Sequence, residues 1–105
     1  MTTTLLTRDD VFQRIRSVES RIRDLGVRRL ALFGSVLRNE AGPDSDVDLL
    51  VQFEPGQKTA RRFFALYDLL EEMFGRRVEL LTTESLSPFI GPHILAEAAD
   101  VIPGA

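Results

Sequence analysis

The sequence predicts an α/β layered domain, a small mixed sheet flanked by helices. Three observations predict it. Segments with helical spacing of apolar residues alternate with short apolar runs. Gly and Pro stand between most of them. The first two strand-like runs are joined by a short connection, whereas a helical segment crosses between the second and the third. The first pair is therefore expected to be antiparallel and the second pair parallel. A chain of 105 residues makes one domain, 1–105, with one real core.

The elements follow in order. Thr7 can cap a helix whose first turn holds Asp9 and Asp10, favourable at the positive helix end. Val11, Phe12, Ile15, Val18, Ile22 and Leu25 recur at helical spacing, and Gly26 stops the run. Val27 to Phe33, with Leu30-Ala31-Leu32-Phe33, reads as a buried strand. Gly34-Ser35 turns the chain into a short helix over Val36 to Glu40, and Ala41-Gly42-Pro43-Asp44 is a loop. Asp46 to Phe53 is a second strand, broken by Glu54-Pro55-Gly56-Gln57. A second helix runs from Thr59 or Ala60 to Phe74, with Gly75 at its end, and Val78 to Leu81 is a third strand. Pro92 suits the first turn of a last helix through about Ala99.

Composition narrows the function. Apolar residues are 44% and charged residues 28%, an ordinary soluble balance. A formal charge of -3 argues against a general nucleic-acid binder, so no direct nucleic-acid contact is expected. The cations are twelve Arg and Lys58. With no Cys, disulfides and thiol ligands are excluded. Met1 to Thr7 lacks the pattern of a signal peptide, and no apolar stretch approaches membrane-spanning length. The expected location is the cytoplasm.

The chemistry concentrates at Gly34-Ser35 and, ten residues on, Asp46-Val47-Asp48. With period-two alternation Asp46, Asp48, Leu50 and Gln52 share one strand face, and Val47, Leu49, Val51 and Phe53 share the core face. Two carboxylates about 6.5–7 Å apart repel unless a cation lies between or over them. Mg²⁺ prefers one or two carboxylates plus substrate phosphates, and two such ions suit transfer to an attacking oxygen with pyrophosphate leaving. Gly34 lets the backbone approach a ligand, and Ser35 offers a hydroxyl and an N–H. Arg38 can reach a phosphate or pair with Glu40. Ser45 can donate to a carboxylate or start the strand. A Gly-Ser turn alone means only a turn, and an Asp-x-Asp alone is often a solvated strand end. Their combination between two apolar strands reads as a nucleotide-and-metal site.

Gly34-Ser-Val-Leu-Arg-Asn-Glu40 and Ser45-Asp-Val-Asp-Leu-Leu-Val51 resemble the signature of the minimal nucleotidyltransferases, within the DNA polymerase β-like superfamily. The resemblance extends through Gly75 to Thr82, Glu84 to Pro88 and the tail around Ile94 to Ala98. It implies the polymerase β-like palm fold. It also implies a nucleotide-binding set of Gly34, Ser35, Arg38 and Ser45, and a catalytic and metal-binding set of Asp46, Asp48 and Glu79. Glu79 stands where the family has a third Asp, and Asn39 where it has Gly after the Arg. The other reading of Glu79 is a surface charge on an edge strand. Asn tolerates the left-handed conformation that Gly would supply.

A transferase also needs an acceptor, and a chain of this length leaves no room for a domain to hold one. The resemblance implies a partner: a helical HEPN toxin, neutralised by transfer of AMP from Mg-ATP to a hydroxyl, a tyrosine in some members. The alternative is a weak or inactive binding module that neutralises its partner by complex formation. Phe89 and Ile90 are hard to bury and are expected in a partner interface. Phe63, Phe64 and Tyr67 are expected to pack on the sheet. The only histidine, His93, is expected to pack or cap, and Arg61-Arg62 and Arg76-Arg77 to be solvated.

Overall fold

The computed structural model describes residues 6–104, so the reading of Met1 to Thr7 as lacking a signal peptide falls largely outside them. Helices α1 (Arg8–Ser17) and α2 (Glu19–Asp24) lead into strand β1 (Val27–Phe33) and a one-turn helix α3 (Gly34–Leu37). Strand β2 (Val47–Phe53), helix α4 (Ala60–Phe74) and strand β3 (Val78–Thr82) follow. Helix α5 (Gly91–Glu97) and strand β4 (Ala99–Ile102) complete the order. The sheet runs β3-β2-β1-β4. As expected, β1 and β2 are antiparallel and β2 and β3 parallel.

Local chemistry sets most boundaries. Thr7 accepts from the Asp10 N–H, and Asp10 accepts in return from the Thr7 N–H, a reciprocal cap that satisfies two helix-end donors. The expected single first helix is broken at Val18. The Ser17 hydroxyl donates to the Arg14 carbonyl at 2.6 Å, and the Val18 N–H donates to Ile15 rather than to Arg14. A serine that bonds back to its own helix offers the backbone a competing partner and bends the chain. Thr59 caps α4 through the Arg62 N–H, and Gly75 ends it at φ 64. Asn39 takes φ 56, the left-handed backbone foreseen for it, and its side-chain oxygen accepts from the Arg8 N–H.

The alternation read from β2 holds. Val47, Leu49, Val51 and Phe53 are buried, and they pack with Leu30, Leu32, Val78 and Leu80 against Ile15, Ile22, Leu66 and Leu70 of the helices. A smaller cluster of Ala31, Phe33 and Leu50 lies apart from this core, covered by Leu81, Leu86, Ile94 and Ala98. Asp48 shares the Leu50 face of β2 by strand alternation.

Four expectations need correction. Asp46 precedes β2, which starts at Val47, whose N–H donates to the Arg77 carbonyl. The short helix starts at Gly34, and its carbonyls from Gly34 to Val36 already accept from Arg38, Asn39 and Glu40. The last helix stops at Glu97, because Ala99 begins a fourth strand paired to β1. Phe64 is 60% exposed and stands edge-on to Phe63, 5.5 Å between ring centres, while Phe63 and Tyr67 pack on the core.

Leu49→Ala removes a fully buried side chain at the centre of the main core. It is expected to cost about 2–5 kcal/mol in a denaturant titration without changing the fold.

Candidate functional site

Strand pairing brings distant residues together. In the β1–β2 register Phe33 faces Asp48, and in the β2–β3 register Asp48 lies beside Glu79. Neighbouring strands are about 4.8 Å apart, so the two carboxylates stand side by side on one face. Glu79 is exposed between buried Val78 and Leu80, so its side chain leaves the core side. The register therefore sets the Glu79 side chain beside that of Asp48.

Gly34 follows β1 directly, with φ 78. A Cβ there would collide with the Asp48 carboxylate, 2.9 Å from its Cγ and 3.1 Å from its Cβ. Both the conformation and the space demand glycine. Ser35, half-buried, sits in the first turn of α3.

The electrostatics follow from this crowding. The Asp48 carboxyl is pushed up from its ordinary 3.8 to about 7. Burial is the first cause, then the hydrogen bond and charge of Glu79, then the charge of Asp46; the Arg38 guanidinium pulls the other way. Asp48 thus feels Glu79, Asp46 and Arg38 at once. Acidic groups held this close favour a hard cation with oxygen ligands. Among the described residues, no three His, Cys, Asp or Glu side chains are arranged as a metal cage. A Mg²⁺ site does not need one, because one or two carboxylates and the substrate's phosphates suffice. On this chemistry the residues fit the ion.

The other expected residues divide. The Arg38 Nε pairs with Glu40 at 3.2 Å, as the sequence allowed. Its Nη1 reaches both carboxylate oxygens of Glu97, at 2.9 and 2.8 Å, and the Gly34 N–H donates to the same carboxylate at 2.6 Å. Glu97 has no local sequence signal, since it lies 63 residues from Gly34 and only the fold joins them. The Ser45 hydroxyl accepts from the Gly42 N–H at 2.8 Å and closes the loop before β2. Beside Ser45 and Asp46 opens a cleft of about 400 Å³, lined also by Pro43, Asp44, Gly75, Arg76 and Arg77. Arg76 is half-buried and donates to the Ser45 carbonyl at 3.4 Å, so it is less solvated than expected. His93 is exposed on α5, whose N-terminus has no side-chain cap, so it neither packs nor caps as foreseen.

Two outcomes test this geometry. Gly34→Ala is expected to destabilise the fold by about 1–3 kcal/mol, measured by thermal denaturation, because it strains the turn against Asp48. The raised Asp48 group means that the folded chain holds this proton more tightly than the unfolded chain does. Its stabilising contribution is complete below about pH 4 and is lost as pH rises towards 7. In metal-free buffer at about pH 8, Asp48→Asn is therefore expected to be more stable than the parent by about 1–2 kcal/mol after allowance for solvent screening. The gap should close when the pH falls to about 4.

Comparison with known proteins agrees with the geometry. The model of the Nucleotidyltransferase domain family matches residues 15–100. The protein adenylyltransferase MntA of Thermococcus cleftensis is 36% identical over 98 residues, covering 92% of this chain and 98% of its own. A solved minimal nucleotidyltransferase superposes with a TM-score of 0.78 at 35% identity, covering 91% of this chain and 97% of that one. The complex of a tri-AMPylated Shewanella oneidensis HEPN toxin with an MNT antitoxin holds a chain with a TM-score of 0.64 at 18% identity. That match covers 89% of this chain and 71% of the other, and it concerns the fold alone. With the Gly-Ser turn, the paired carboxylates and the mixed sheet in place, the chain belongs to the nucleotidyltransferase domain family and has the minimal nucleotidyltransferase fold.

Proposed function

We propose that this nucleotidyltransferase moves AMP from Mg-ATP to a hydroxyl, a tyrosine, of a HEPN-type helical toxin, and so acts as its antitoxin in the cytoplasm. The observation that carries the reading is the register that sets Asp48 beside Glu79 and against Gly34. The adenylyltransferase name of the Thermococcus relative and the AMPylated toxin in the Shewanella complex support the nucleotide and the partner.

In this reading the Gly34 N–H and Ser35 hold the outer phosphates, with Arg38 neutralising part of their charge. Ser45 contributes by holding the loop that delivers Asp46. When bound, Mg²⁺ (two ions in the full site) would supply charge neutralisation at the attacking oxygen and at the departing pyrophosphate. Asp46 and Asp48 are the residues that would hold it, with Glu79, beside Asp48, either completing the set or acting as base. The acceptor oxygen bonds to the α-phosphorus, the bond from that phosphorus to the pyrophosphate oxygen breaks, and a carboxylate takes the hydroxyl proton. In this reading the base is Glu79, supported by its being the most exposed member of the group. Rate comes from positioning and from charge already in place.

The exposed apolar side chains Phe89, Ile90 and Leu95 favour a second reading, neutralisation of the toxin by binding alone. One experiment separates them. The chain is incubated with a candidate HEPN partner, Mg²⁺ and ATP, and the partner is followed by intact mass. The enzyme reading expects additions of AMP, lost by at least about a hundredfold in rate in Asp46→Asn and Asp48→Asn. Toxicity suppressed with no mass change on the partner would support binding alone.

A further inference from the structure

The contacts of Glu97 are those expected of a bound anion. One carboxylate takes a short hydrogen bond from the Gly34 backbone at 2.6 Å, and both its oxygens accept from Arg38 Nη1. A backbone N–H at a glycine turn plus a guanidinium is a donor set suited to phosphate oxygens. We propose that Glu97 is a tethered competitor of the nucleotide's phosphates and so sets the affinity of the site for triphosphates. The inference rests on the nucleotide reading above.

Three features make Glu97 a competitor and not simply a strut. Its carboxylate meets two members of the expected nucleotide-binding set at once, Gly34 and Arg38. It is delivered by a fixed element: Ile94 and Ala98 of the same segment pack on Phe33 and Leu50, and Ala99 enters the sheet opposite Leu32. A tethered ligand acts at high effective concentration. The contact is also open to exchange, because the Glu97 and Arg38 side chains keep 34% and 46% of their exposure. A single carboxylate at such a surface binds weakly, and a triphosphate brings more charge to the same donors.

Calorimetry with AMP-PNP, inorganic triphosphate and adenosine, each with Mg²⁺, tests the inference on the full chain and on Glu97→Gln. The variant is expected to bind AMP-PNP and inorganic triphosphate tighter by on the order of threefold to tenfold, with less gain at high salt, and adenosine no tighter. In an Arg38→Ala background the gain should shrink. Equal or weaker binding of triphosphates by the variant, with the parent still binding AMP-PNP, overturns the competitor and leaves the nucleotide reading standing. Failure of both proteins to bind AMP-PNP overturns both. A second measurement needs no variant: in NMR of the parent chain, AMP-PNP is expected to shift the Gly34 amide and the Glu97 carboxyl carbon together. A bound nucleotide that leaves the Glu97 carboxyl resonance unmoved overturns the proposal.

Discussion

The approach of Gly34 to Asp48 is the constraint on which the rest of the site depends. The antiparallel pairing of β1 with β2 drives the end of one strand against the start of the other, and no side chain fits between them. The Gly34-Ser35 turn and the carboxylates come from separate stretches of chain, yet a hydrogen-bonded ladder fixes their distance. A loop would hold them less firmly, since loops are the mobile parts of a fold. The parallel pairing of β2 with β3 adds Glu79 by the same device.

That economy of space has an electrostatic cost. Asp46, Glu79 and Arg38 all act on Asp48, and burial together with the two neighbouring carboxylates makes Asp48 resist ionising. Burial of apolar surface on the opposite face of β2 offsets the cost. Val47, Leu49 and Val51 are wholly covered there. Each fully buried side chain of this size contributes about 1.5–3 kcal/mol relative to exposure. One seven-residue strand thus carries both the Asp48 carboxylate and much of the anchorage, on alternate residues.

Much of this was legible in the chain. Asp-Val-Asp followed by alternating apolar residues defines its own two faces, because the period of a strand is two. Thr59 and Gly75 mark the ends of α4, and Asn39 supplies a left-handed backbone where glycine was the alternative. The rest is hidden for physical reasons. The break at Val18 follows from one serine hydroxyl bonding to Arg14, which periodicity does not register. Strand β4 has only four residues, too few to show a period when a single residue, Ala98, separates it from the preceding helix. Glu97 is invisible because its partners are tertiary. Phe64 reads as a core residue by type, but it lies one position past Phe63, about 100° around the helix from it.

Strand β4 has a further consequence, for how the molecule meets copies of itself. An edge strand displays unpaired backbone groups on which another chain can add. Here the exposed edge is short, and Pro103, directly after Ile102, has no N–H with which to lengthen it. The half-exposed Arg29–Asp100 ion pair puts charge along the same border. Aggregation by strand addition at this end of the sheet therefore meets a charged ladder only four residues long.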